Sequence, residues 1–308
     1  MRPTTTTIRQ DAERGYAANG DSRAAEAVLP HVVLVHGFPL HGGMWHGVTK
    51  SSFINIDCFC PDLRGFGQNL SAEPCSIQQH AQELHNTLEQ RGLLPCVLCG
   101  LSMGGYVAME FVEQFPDDVL GLMLLNTRAK DDSDGQAQSR VKLIRTVRRK
   151  GLPGVVDQML PGLLSDQALR EDGLIVDTLT NMMLDCPPIT IEYASVAMGK
   201  RVDCSDAMKK VTMPVSIVAS SNDTITPPDT MRDLHDCFDD SEFRLIEGPG
   251  HLTAWEAPDR VAAEIDRLVK RVRRKAATKP ITKRPIETPA QPMRSRPLHR
   301  PRSLTFDI

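Results

Sequence analysis

At 308 residues, 41% hydrophobic and 24% charged, the chain has the composition of a globular protein with room for a substantial core, and nothing in it approaches the roughly 20 consecutive apolar residues of a membrane span. Residues 1–10 lack the apolar run of a secretory leader, so a cytoplasmic location is expected, with the eight cysteines at 58, 60, 75, 96, 99, 186, 204 and 237 as reduced thiols. The net charge of −3 conceals a division: residues 270–308 carry twelve Lys and Arg against Glu287 and Asp307, a net +10, which leaves −13 on the rest.

Residues 1–27, rich in Thr, Ala, Gly and charge without a period, are expected to form a disordered leader. The β-branched run at 31–35, stopped by Gly37 and Pro39, reads as a buried parallel strand, and a second strand is expected over 54–60. A helix follows over 76–90, with Ile77, Ala81, Leu84 and Leu88 on one face. The strand 96–100 then runs directly into a helix over 103–115, and 119–125 is another apolar strand. From 129 to 208 the strand signal gives way to helical segments separated by Gly-x-Pro-Gly and Cys-Pro-Pro turns, which reads as an inserted helical cap. Strands at 215–219 and 242–246 and helices at 229–237 and 257–274 complete the pattern. This alternation predicts an α/β fold: a mostly parallel sheet with helices on both faces, its core formed by 28–128 and 209–272, and a basic, Pro-rich disordered tail over 273–308.

Gly100-Leu101-Ser102-Met103-Gly104 fits the G-x-S-x-G elbow, in which glycines permit a sharp strand-to-helix turn that lifts a serine hydroxyl above the sheet. A serine is a poor nucleophile at neutral pH and needs a base that a third group orients. Asp223, after the strand 215–219, and His251, in Gly248-Pro-Gly-His, both lie beyond the carboxyl ends of strands, where open α/β sheets place their sites, and the order is Ser, Asp, His. An oxyanion would be held by the amide of Met103, at a helix start, and by the amide of Phe38, in the turn after the first strand.

Together, His36-Gly-Phe-Pro39, Asp62-Leu-Arg-Gly-Phe-Gly67, Gly100-Leu-Ser-Met-Gly-Gly105, Asp223 before Thr226-Pro-Pro and Gly248-Pro-Gly-His251 make the chain, over roughly residues 31–270, resemble the α/β-hydrolase superfamily. Within it the chain is most similar to small cofactor-free members: carboxylesterases, 3-oxoadipate enol-lactonases and non-heme perhydrolases. The resemblance implies oxyanion roles for Phe38 and Met103 and a lid over the pocket from about 129 to 208, but transfers no substrate; the expected reaction, acyl transfer to water from a small ester or lactone, requires no cofactor. Asn222 stands where an acidic residue or glycine is usual, which leaves Asp229 and Asp203 as less well placed alternatives to Asp223.

Substrate contacts are expected from His36, Gly37, Trp45, Met182 and Met183, although Met and Trp also fill cores. His36, His41 and His46 lack a carboxylate or cysteine at ligand spacing, so pocket lining or simple turn polarity is favoured over a metal site. Cys96 and Cys99 read as buried strand residues rather than a redox pair, and Arg64 as a loop anchor. The basic tail reads as a solvated extension, with nucleic acid or an anionic surface as the alternative partner. Rival functions are perhydrolysis, carbon–carbon bond hydrolysis on the same residues, and a non-catalytic small-ligand receptor.

Overall fold

The computed structural model describes residues 29–278, except 55 and 72. The expected leader over 1–27 and the tail beyond 278 lie outside the described residues. Six strands, β1 (His31–Val35), β2 (Cys58–Phe59), β3 (Cys96–Leu101), β4 (Val119–Leu125), β5 (Val215–Ser220) and β6 (Ser241–Ile246), form one sheet in the order β2-β1-β3-β4-β5-β6. Every pairing is parallel. The central strands β3 and β5 are buried along their whole length, as expected of strands covered on both faces.

Helices α1 (His46–Lys50), α2 (Ile77–Gln90) and α3 (Met103–Gln114) follow in the first half. Ser76 and Gln79 form a capping box that starts α2, whose buried face is Ile77, His80, Ala81, Leu84 and Leu88. Between β4 and β5 lie only helices: α4 (Asp134–Leu163), α5 (Asp166–Glu171), α6 (Gly173–Leu184), α7 (Pro188–Gly199) and α8 (Ser205–Met208). Within α4 the helix breaks at Gly151, which adopts φ 64° and ψ −162°, a conformation only glycine takes without strain. α9 (Pro228–His235), α10 (Thr253–Glu256) and α11 (Pro258–Thr278) complete the chain.

Two expected elements differ. The strand expected over 54–60 is reduced to Cys58 and Phe59, and a turn takes up its first expected residue: Ser51 O accepts the Ile54 amide at 3.4 Å and Ser51 Oγ the Phe53 amide at 3.2 Å. The last helix, expected to end near 274 with a disordered tail from 273, runs to Thr278. Its basic residues grip the body: Arg271 Nη1 donates to Val215 O at 2.8 Å, and Lys275 Nζ to Thr212 O at 2.5 Å. No helix among the described residues is long and apolar enough to cross a membrane.

Candidate active site

Ser102 stands between β3 and α3 at φ 56° and ψ −117°, a left-handed backbone that a non-glycine residue holds only when its surroundings impose it. The imposing contacts are visible. The Ser102 amide donates to Leu125 O at 3.0 Å, and its carbonyl accepts from Gly105 N at 2.9 Å and from Thr127 Oγ1 at 2.8 Å. The turn is tight enough that a Cβ on Gly104 would lie 2.3 Å from Val35 O, so a side chain there would push β1 away. The result is a half-buried serine at the head of a helix.

His251 Nε2 lies 2.8 Å from Ser102 Oγ, and His251 Nδ1 lies 2.8 Å from Asp223 Oδ2. Asp223 is buried, yet its carboxylate is well supplied with donors: Ile225 N at 2.8 Å and Thr226 N at 2.9 Å on Oδ1, and Thr226 Oγ1 at 2.5 Å on Oδ2. Burial alone would raise its pKa. The opposing pull of His251, with the Thr226 bonds, outweighs that and holds it down at about 2. The other carboxylates are elsewhere: Asp229 is exposed on α9 beside Arg232, and Asp203 accepts from Ser205. Asn222 joins the Asp223 and His251 loops, its amide donating to Pro249 O at 3.1 Å and its Nδ2 to Gly248 O at 2.7 Å.

The amides of Phe38 and Met103 meet no acceptor among the described residues. Met103 is the first residue of α3, where the helix dipole favours negative charge. Phe38 sits one residue from Gly37, where an added Cβ would come within 3.5 Å of Ser102 Cβ, so this turn borders the serine. Each of these unused donors thus belongs to Ser102's immediate chain neighbour or to the turn that borders Ser102.

The remaining candidates separate. Gly37 abuts the serine, but His36 is fully buried: its Nε2 accepts the Leu63 amide at 3.0 Å and its Nδ1 lies 3.0 Å from Gly37 O. Both ring nitrogens hold main chain, which ties the 62–69 loop to the end of β1. Trp45 and Met183 are also fully buried and pack within the hydrophobic core. Met182 is half-buried, close to Gly43. His41 accepts from Gly43 N and His46 is exposed, and no group of three or more His, Cys, Asp or Glu among the described residues could hold a metal ion. Cys96 and Cys99 are buried free thiols; burial pushes Cys96 up to about 12 and Cys99 higher than its usual range. Arg64 pairs with Glu83.

Several residues around the serine and histidine escaped the sequence reading. Asn126, fully buried at φ 43°, donates through Nδ2 to His251 O at 2.7 Å. Glu256 accepts from Gly250 N at 2.9 Å, from Ser165 N at 3.1 Å and from Ser165 Oγ, and so joins the helical insertion to the His251 loop. Leu252 N donates to Leu163 O at 2.9 Å alongside. The one available signal was position, since Asn126 and Thr127 are a polar pair directly after the apolar run of β4.

A family model described as serine aminopeptidase, S33 (Hydrolase_4) matches residues 27–258. Among solved structures, a thermophilic esterase from Thermogutta terrifontis with malate bound is similar at 32% identity, covering 79% of this chain and 90% of that one, with a TM-score of 0.75. The enol-lactonase from Burkholderia xenovorans LB400 shares the fold at 16% identity, with 80% and 94% covered and a TM-score of 0.73. The pimeloyl-(acyl-carrier protein) methyl ester esterase of Nitrosospira multiformis is 22% identical over 251 residues, 78% of this chain and 95% of that protein. A six-stranded parallel sheet, a serine elbow and a family model spanning most of the length converge: the chain belongs to the Hydrolase_4 family, within the α/β-hydrolase superfamily.

Proposed function

We propose that this protein is a serine hydrolase that cleaves a small carboxylic ester or lactone through an acyl-enzyme intermediate, with Ser102 as nucleophile, His251 as general base and Asp223 as the group that orients it. The observation that carries the reading is the unbroken relay from Asp223 Oδ2 through His251 to Ser102 Oγ, at 2.8 Å in each step. His251 Nε2 takes the Ser102 proton as Oγ attacks the carbonyl carbon, and the Phe38 and Met103 amides receive the oxyanion. Collapse expels the alcohol, which takes its proton from His251; in a lactone it stays tethered to the acyl group. Water then enters, gives a proton to His251, attacks the acyl carbon and frees the acid, and Ser102 recovers its proton. Similarity to an esterase at 32% identity supports an ester over an amide as the bond cleaved.

Intact-mass spectrometry after fluorophosphonate treatment, on wild type and Ser102→Ala, tests this alongside turnover of p-nitrophenyl acetate and butyrate. One adduct on wild type, absent from the variant together with turnover, is the expected result. A folded wild type with neither adduct nor turnover would overturn the enzymatic reading in favour of a ligand receptor. Peroxide included as a competing acceptor separates perhydrolysis from hydrolysis by product analysis.

A further inference from the structure

We infer that Asn126 is a positioning residue for the base: its side-chain amide fixes the main chain of His251 so that the imidazole stays in line with Ser102. The inference rests on the Ser102–His251 reading above and extends it to a residue that touches no substrate. Asn126 is fully buried, and its Nδ2 lies 2.7 Å from His251 O, 2.7 Å from Thr253 Oγ1, 2.9 Å from Ser220 Oγ and 3.4 Å from Gly250 O. Two N–H bonds can serve two acceptors at a time, and the two shortest contacts run to His251 O and Thr253 Oγ1. Thr253 Oγ1 touches Ser220 Oγ, which in turn lies 3.4 Å from Asn126 Oδ1, so the amide is locked into a closed ring of hydroxyls. The His251 carbonyl, which can only accept, fixes its orientation. Turned over, the amide would set an oxygen against the His251 carbonyl, two acceptors with no proton between them.

Its place in the chain gives this bond its reach. The residue before it, Leu125, accepts the Ser102 amide at 3.0 Å, and the residue after it, Thr127, donates to the Ser102 carbonyl at 2.8 Å. The Asn126 amide itself donates to Val218 O at 3.1 Å, anchoring it to β5. Three consecutive residues at the end of β4 therefore hold the nucleophile's main chain, through the Leu125 carbonyl on one side and the Thr127 hydroxyl on the other, and the base through the Asn126 side chain between them, and this strand end sets the spacing of the two. The left-handed backbone of Asn126, which Asn tolerates better than most residues, leaves its side chain at the His251 loop. An imidazole pivots on its own backbone, and a displacement of about 1 Å at a reacting group costs on the order of 10²-fold in rate.

The test is a double-mutant cycle. Asn126→Asp keeps the size and backbone preference but has no donor, and Asn126→Gly keeps the left-handed backbone without the amide. Each is made in wild type and in His251→Ala, and kcat and KM for p-nitrophenyl acetate are taken per folded chain, scored by near-ultraviolet circular dichroism. Acting through His251, both changes lower kcat by roughly 10²-fold in wild type with KM little altered, and by less than about threefold where the imidazole is already gone. Equal losses in both backgrounds, or no loss in wild type, overturn the inference. So does failure of both variants to fold, which would make Asn126 a residue of the fold alone. Absence of Ser102-dependent turnover in wild type is a different failure, that of the hydrolase reading itself.

Discussion

His36 and His80 lie outside the relay, and both are sites at which the fold yields to acid. Burial pushes His36 from its ordinary 6.5 down to about 4, against weaker opposing pulls from the Gly37 carbonyl and Asp62. His80 on α2 falls to about 4 for the same first reason, with His36 and Arg64 adding to it. Between 6.5 and 4 the unfolded chain therefore binds protons that the native chain refuses. Stability is complete above about 6.5 and is lost as pH falls toward 4, by about 2 kcal/mol per histidine at pH 5. Asp223, held at about 2, adds its own loss only below its ordinary 3.8. Replacing His36 would strip Leu63 of its acceptor, but His80 Nδ1 is buried without a partner. His80→Leu thus removes one titration and no hydrogen bond. Urea unfolding at about pH 7.5 and about pH 5 should show wild type losing about 4 kcal/mol and the variant about 2. Equal losses in the two proteins would mean that His80 does not resist protonation in the native state.

At the scale of elements, a buried carboxylate ties the two ends of the helical insertion together. Asp132 pairs with Arg140 Nε at 2.7 Å and Arg201 Nη1 at 2.5 Å, and Arg201 also donates to Met198 O and Lys130 O and stacks over Tyr106 of α3. The two ends of the insertion meet at this cluster. Burial works to raise the Asp132 pKa, and the Arg140 and Arg201 contacts outweigh it and leave it below the usual carboxylate range. Asp132→Asn would leave Arg201 buried without its counter-ion, at a cost of roughly 3–5 kcal/mol. Thermal unfolding should fall by about 10 °C, and a change under about 2 °C would mean the cluster carries little of the attachment. This fastening was not legible in the sequence, and neither was Asn126, for one reason. Asn126 and His251 are 125 residues apart, Ser165 and Glu256 are 91 apart, and no local period links such pairs. Ser102, Asp223 and His251 were legible because each sits in a short string whose glycines or prolines mark a strand end, and because strands and helices alternate with clear apolar periods. The strand expected over 54–60 is shorter than its apolar run suggests, and Trp45 is open to two readings because an aromatic side chain looks alike in a core and in a pocket.

For the molecule as a whole, the charge division at residue 270 falls inside α11. Five of the twelve basic residues from 270 onward lie in α11, and seven Lys and Arg follow Thr278. The helical five include residues that hold the fold: Arg271 bonds Val215 O at 2.8 Å and meets Glu242 at 3.1 Å, while Val272 is buried against Gly121 of β4. Two truncations divide the segment accordingly. Ending the chain at 278 removes seven positive charges and two negative ones and none of these contacts, so the melting temperature should stay within about 2 °C. Ending it at 269 removes the Val272 packing, worth about 1.5–3 kcal/mol, together with the anchors at Arg271 and Lys275. A loss of roughly 3–5 kcal/mol in all should lower the melting temperature by about 10 °C or more. Retention on heparin, measured on full-length protein and on the 278 truncation, then isolates what the charge beyond the helix does. A drop in retention with unchanged melting would assign an anionic partner to residues beyond 278, whereas unchanged retention would leave that charge as solvated surface. Should the two truncations melt alike, the grip of Arg271 and Lys275 on the body would carry no stability.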